Sequence, residues 1–287
     1  MCDEKQLAEM ARAPVNRRQF GKLGALAGLA ALAPAGNASA QGALMETYPT
    51  FDAPGGTMDA FFVYPAEGKH PAIIVWPDIA GLRDSFMAMG RRLARRGYAV
   101  LVVNPFYRNE PAPQFDDFDA FREQNGFEKV APWRELLTPE AVMETAKATV
   151  EWLDLQEMVD TSKGIGTQGY CMGGPFTVWT AAAAPERVKA AASFHGGGLV
   201  GEGETAPVNM LGATQASYLF AIARNDDRTS PGDKDALKAA AAAAGRPAVV
   251  EVFRADHGWT VDDSPAFDFE AGDRAWERMI TLYTAAL

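Results

Sequence analysis

The stretch Gly164-Ile165-Gly166-Thr167-Gln168-Gly169-Tyr170-Cys171-Met172-Gly173-Gly174-Pro175-Phe176-Thr177-Val178-Trp179 decides the fold. A short run suited to a strand ends on glycine, a cysteine stands at the corner, and an apolar helix opens with proline in its first turn. Strand, sharp turn and helix in that order are the setting of a nucleophile elbow, which lifts one side chain above the edge of a sheet. Gly169 and Gly173 leave room where strand and helix backbones crowd, so residue 171 can adopt a strained conformation. The next amide, from Met172, then lies at a helix N-terminus, where an oxyanion would be stabilised. On its own, G-x-C-x-G also describes a small buried cysteine at a tight strand–helix junction.

Outward from the elbow the same alternation continues. Apolar, β-rich runs occur at 60–64, 72–76, 98–103, 164–168, 190–194, 217–223 and 248–253, and an extended segment is expected at 47–57. Most are continuous rather than alternating, which is how strands covered on both faces read. Helical periodicity lies between them, at 83–96, 139–155, 175–184, 233–244 and 269–287. The pattern predicts an α/β fold, a mostly parallel central sheet with helices on both faces, as one domain over residues 41–287. Residues 105–137, rich in Pro, acidic and aromatic residues, interrupt the rhythm. They are expected either to shape a binding pocket or to pack their aromatics on the body of the domain.

Composition narrows the function. The 287 residues are 48% hydrophobic and 22% charged, with a net charge of −10. That balance is globular, and it argues against binding nucleic acid or anionic lipid. Two cysteines and three histidines exclude a disulfide framework or a zinc cluster, and no metal or organic cofactor is called for.

Asn16-Arg17-Arg18-Gln19-Phe20-Gly21-Lys22, the Leu/Ala/Gly stretch 23–35 and Ala38-Ser39-Ala40 make up a charged region, an apolar region and a small-x-small cleavage site. The segment resembles a twin-arginine signal, which implies export to the periplasm or beyond; an uncleaved anchor is the alternative. Cleavage after Ala40 would remove five of 27 basic and three of 37 acidic residues, leaving −12, and would take Cys2 with it. Cys171 would then be the single thiol.

A thiol nucleophile needs a base, and the base an orienting acid, in the chain order nucleophile, acid, base for this architecture. His257 follows one predicted strand and Asp226 follows the one before it. His70 precedes a strand, at the opposite edge of the sheet, and is expected to be exposed. His195 ends the strand after the elbow; it could line the pocket or play a hydrogen-bonded structural part.

With these residues in place, the chain resembles the dienelactone hydrolase family of α/β-hydrolases from about Phe51 to Leu287, and Gly169-Tyr170-Cys171-Met172-Gly173-Gly174 matches its nucleophile motif. The resemblance implies the α/β-hydrolase fold and hydrolysis of a small ester or lactone. It implies the triad Cys171, His257 and Asp226, with Asp227 as fallback acid, and oxyanion donors at Met172 and Ile79. It places Asp78 where the family carries a Glu facing the cysteine, and Arg108 where it carries an arginine for the substrate carboxylate. Val261 replaces the family's second substrate arginine, so a neutral or singly charged ester is expected. A reading of a different class keeps the fold and makes Cys171 a periplasmic ligand-binding or redox-sensing thiol.

Overall fold

The computed structural model describes residues 42–287; the proposed export segment, residues 1–40, lies outside them. Nine strands are found among the described residues: β1 (Leu44–Thr47), β2 (Thr50–Ala53), β3 (Gly56–Pro65), β4 (Ala72–Trp76), β5 (Ala99–Val103), β6 (Ile165–Tyr170), β7 (Val188–Phe194), β8 (Ser217–Ala223) and β9 (Ala248–Phe253). The helices are α1 (Asp84–Ala94), α2 (Phe118–Glu123), α3 (Gly126–Arg134), α4 (Pro139–Asp154), α5 (Gly174–Ala183), α6 (Pro207–Met210), α7 (Arg224–Thr229), α8 (Asp233–Ala243) and α9 (Phe269–Ala286). All seven apolar runs become strands and all five periodic segments become helices. The extended start, 47–57, resolves into β2 and the first residues of β3, with β1 just before it; β1 and β2 are exposed or half-buried and each pairs antiparallel with β3.

The sheet runs β1-β3-β5-β4-β6-β7-β8-β9, with β2 beside β3. From β5 to β9 every pairing is parallel; β3 joins β5 antiparallel. The continuous apolar runs explain this. Every residue of β4, β5 and β6 is buried, because α4, α5 and α8 cover one face and α1 and α9 the other. Helix starts carry the expected caps: Thr138 accepts from the Ala141 amide with Pro139 in the first turn, and Asp268 accepts from Ala271.

Register then places the chemistry. Trp76 pairs with Gly169, Gly169 with Ser193, Phe194 with Ala221 and Ala223 with Phe253. The C-terminal ends of β4, β6, β7, β8 and β9 are therefore level, and the residues just beyond them, from Asp78 to His257, emerge at one edge.

The 105–137 interruption contains α2 and α3 and no strand. Phe106, Tyr107, Phe115, Phe118 and Phe121 are buried, and Phe121 meets Phe115, Phe118 and Phe127 with ring centroids 5.0, 5.3 and 4.7 Å away. The segment's aromatics thus pack on one another and join the hydrophobic core on one face of the sheet. His70 is half-buried rather than exposed, its ring nitrogens engaged with the Gly97 and Glu67 carbonyls.

Two glycines at the elbow are sterically required. A Cβ at Gly169 would collide with the Gly173 carbonyl, and one at Gly173 would lie 2.5 Å from the Trp76 carbonyl oxygen and 2.7 Å from that of Pro77. These neighbours are backbone and cannot rotate away. Gly169→Ala and Gly173→Ala are each expected to cost about 3 kcal/mol through overpacking, a Tm loss on the order of 6–12 °C. Thermal unfolding followed by circular dichroism checks this, and an unchanged Tm would contradict the close approach.

Candidate active site

Cys171 sits at φ +50°, in the left-handed region, and begins a single 3₁₀ turn (Cys171–Gly173) that runs into α5. A non-glycine residue there carries a strain of about 1–3 kcal/mol, which the surrounding packing must hold. The side chain is 2% exposed. Met172 follows at the start of the turn and is also buried.

His257 comes from the loop after β9. Its Nδ1–H donates to Asp226 Oδ2 at 2.8 Å, which leaves Nε2 as the basic nitrogen of the neutral ring. Asp227, the fallback acid, turns instead to Lys234 at 2.6 Å. The two loops that bring acid and imidazole together are stitched by their backbones: Arg224 N–H donates to the Ala255 carbonyl at 2.9 Å, and His257 N–H donates to Asn225 Oδ1 at 2.8 Å. Arg224 also holds Asp256 bidentately, at 2.8 and 2.9 Å. Asn225, Arg224 and Asp256 were not expected from the sequence. Their only signal was adjacency to the acid and base.

His195, at the end of β7, stands between the two halves of the site. The Cys171 N–H donates to its Nδ1 at 3.1 Å, and its ring centroid lies 4.7 Å from that of His257. The other nitrogen, Nε2, is 3.1 Å from the Thr260 hydroxyl. Both ring nitrogens of His195 are thus engaged within the protein. The elbow, His195 and the His257–Asp226 pair thus form one contiguous group at the level strand ends.

Ile79 is buried in the tight turn after β4, where the Asp78 carboxylate accepts the Ala80 N–H at 2.9 Å and the Asp78 carbonyl accepts the Gly81 N–H at 3.0 Å. Asp78 is 4% exposed. Its carboxylate is gripped by Arg83, Nη1 at 2.7 Å and Nη2 at 3.0 Å, and Arg83 grips Asp263 by Nε at 2.7 Å and Nη2 at 2.8 Å. Asp263 in turn accepts the Phe118 N–H at 3.0 Å. Burial opposes the guanidinium charge, but the two carboxylates outweigh it and raise the Arg83 pKa above its ordinary value. Sequence reading missed Arg83 and Asp263, since 180 residues separate them and neither stands in a motif.

Arg108 is directed to helix α4. Its Nη2 donates to the Ala141 carbonyl at 3.1 Å and the Thr145 hydroxyl at 2.8 Å, and its guanidinium lies over Tyr107. Val261 is fully buried. A cleft of about 210 Å³ borders Asp226 and is lined by Gly196–Val200, Ile222, Ser230 and Asp233. Another cavity, about 240 Å³, lies between α1, α9 and the 260–269 loop, with Tyr170 and Phe194 on its wall. Among the described residues no group of three or more His, Cys, Asp or Glu is arranged to hold a metal ion, and no helix is long and apolar enough to cross a membrane.

The dienelactone hydrolase family model matches residues 58–287. A Yersinia pestis protein named "Putative carboxymethylenebutenolidase" is 26% identical over 242 residues, covering 82% of this chain and 86% of the relative. Among solved structures, the Klebsiella pneumoniae "Putative Dienelactone Hydrolase" superposes with a TM-score of 0.70 at 23% identity, covering 84% of this chain and 99% of that one. The "Dienelactone Hydrolase-like" phosphotriesterase P91 from metagenomic libraries gives 0.68 at 22% identity, covering 85% and 99%. These structural likenesses bear out the expected α/β-hydrolase fold.

The Asp78–Arg83–Asp263 cluster yields a direct test. Arg83→Met would leave two carboxylates without their shared cation, Asp78 buried and Asp263 largely so, and is expected to lower stability by about 3–5 kcal/mol. Asp263→Asn should cost less, because Asp78 keeps its partner. Urea denaturation measures both; a loss below about 1 kcal/mol for Arg83→Met, the range of an exposed pair, would contradict a buried network.

Proposed function

Because the chain belongs to the dienelactone hydrolase family, we propose that it hydrolyses a small carboxylic ester or lactone through a Cys171–His257–Asp226 triad. One observation carries the reading: the elbow cysteine at φ +50° shares a cluster with an imidazole whose Nδ1 is held by Asp226. Asp226 fixes the tautomer, so Nε2 is available as a base for the thiol. The thiolate adds to the carbonyl carbon, and the tetrahedral oxyanion is stabilised by the Met172 and Ile79 amides. As the C–O bond breaks, the leaving alkoxide takes the proton from His257 Nε2 and a thioester remains. Water, deprotonated by the same nitrogen, then adds to the thioester, and expulsion of the Cys171 sulfur with return of the proton releases the acid.

Substrate class follows from what surrounds this group. Arg108 is engaged with α4 and a buried valine occupies position 261, so of the two positions that hold the substrate carboxylate in the family pattern one lacks an arginine and the other has its arginine tied to the protein. A neutral or singly charged ester is favoured over a dianionic one. The names of the curated relatives, carboxymethylenebutenolidases, support a lactone among the substrates. A redox-sensing thiol works by exposure, and 2% exposure at Cys171 does not favour it. The twin-arginine-like segment supports the further proposal that the enzyme acts after export.

Cys171→Ala is expected to abolish turnover of p-nitrophenyl acetate, and quenched wild-type protein should carry an acetyl group on Cys171 by mass spectrometry. Equal rates in the two proteins would overturn the covalent mechanism. Asp226→Asn should lower kcat by as much as about 10⁴-fold, as removal of a triad acid does. Asp227→Asn should stay within a few-fold of wild type; the reverse ranking would move the acid by one residue.

A further inference from the structure

We propose that His195 is a positioning residue for the nucleophile: its Nδ1, accepting the Cys171 N–H, holds the cysteine in its left-handed conformation, and Thr260 fixes the tautomer that makes this possible. The inference rests on the triad reading and deepens it, adding a second histidine that acts on the backbone of the nucleophile instead of on its thiol.

The argument begins with what a backbone amide can do. The Cys171 N–H is a donor only, so a 3.1 Å contact with His195 Nδ1 requires a lone pair on that nitrogen. The neutral ring must then carry its proton on Nε2, and Nε2 lies 3.1 Å from Thr260 Oγ1, which can accept it. The Thr260 hydroxyl is thus the complement to the Cys171 amide. Both ends of the imidazole are used, and the ring is buried. A protonated His195 could not accept at Nδ1 and would set a cation beside His257, whose ring is 4.7 Å away. Burial, and then the proximity of His257, depress the His195 pKa well below the usual histidine range, which agrees with a permanently neutral ring.

The geometry also explains why a side chain is needed there. Tyr170 is still extended, so the Cys171 N–H projects as a strand amide does, while at φ +50° the chain beyond it turns off into the 3₁₀ turn. His195 itself sits at φ +41°, a second non-glycine residue in the left-handed region. Two strained residues at the ends of adjacent parallel strands, linked by one hydrogen bond, form a brace across the strand ends. A shift of about 1 Å in a reacting group can cost on the order of 10²-fold in rate, so the brace acts on kcat.

Asparagine separates the acceptor from the imidazole. It tolerates a left-handed φ, and its Oδ1 can take the place of Nδ1. His195→Ala is expected to lower kcat for p-nitrophenyl acetate by about 10²-fold with KM little changed, and to slow alkylation of Cys171 by iodoacetamide. His195→Asn should recover most of both. Thr260→Val, which removes the tautomer lock from outside the hydrogen-bonded elbow, should lower kcat several-fold and leave KM unchanged. Should His195→Ala fail to fold, the Thr260 variant carries the test. Wild-type kcat in a folded His195→Ala or in Thr260→Val overturns the proposal, as does His195→Asn being as slow as His195→Ala. Cys171→Ala run alongside keeps the two failures apart. Activity surviving there refutes the triad reading, while alkylation of Cys171 in the His195 variants still reports on the brace.

Discussion

The left-handed turn at Cys171 is the constraint from which the rest of the site follows. A residue held at φ +50° between a buried parallel strand and a helix needs backbones that approach closely on both sides. That need fixes glycine at 169 and 173, because the groups they meet are carbonyls of the elbow and of the β4 end. The same approach draws the end of β4 and Pro77 against the elbow. On the proposed mechanism, the strained turn and this close approach serve the Met172 and Ile79 amides.

Charge organisation is arranged around that turn and kept off it. The His257–Asp226 pair lies on the β8–β9 side, and the Asp78–Arg83–Asp263 cluster on the β4 side. Arg83 is shared by two carboxylates, which keeps Asp78 engaged with a cation instead of leaving it to face the thiol. Since Asp263 belongs to the loop that follows His257 and also accepts the Phe118 amide, one guanidinium ties together the Asp78–Gly81 turn, the histidine loop and the 105–137 segment. The segment thus has an attachment to this cluster as well as its aromatic packing into the main core.

Much of this was legible in the chain because it depends on local pattern. Continuous apolar runs such as 72–76 and 99–103 read as buried parallel strands, and their level ends follow from register. The elbow was legible from Gly169, Cys171 and Gly173, and the hydrogen-bonded pair Asp226 and His257 from their position after successive strands. What escaped was long-range. The Arg83–Asp263 pair spans 180 residues, and the engagement of Arg108 with Ala141 and Thr145 depends on where α4 packs. β1 and β2 escaped as separate strands because they are short and mostly exposed, with little apolar alternation to mark them. The sequence put Asp226 first with Asp227 as fallback, and the turn of α7 directs the first carboxylate to His257 and the next to Lys234.

The substitutions relative to the family pattern form one set when taken together. Where the family has Glu, Asp78 is shorter and is paired with Arg83; where it has a second substrate arginine, Val261 is packed in the core. Here the counter-charge of Asp78 comes from within its own loop, five residues on, and position 261 carries no charge that would need a partner. The proposed preference for a neutral or singly charged ester draws on this: with charge satisfied inside the protein, these positions offer no unpaired cation to a substrate. The same internal balancing is consistent with a net charge of −10, whose field disfavours polyanions before they reach the cleft.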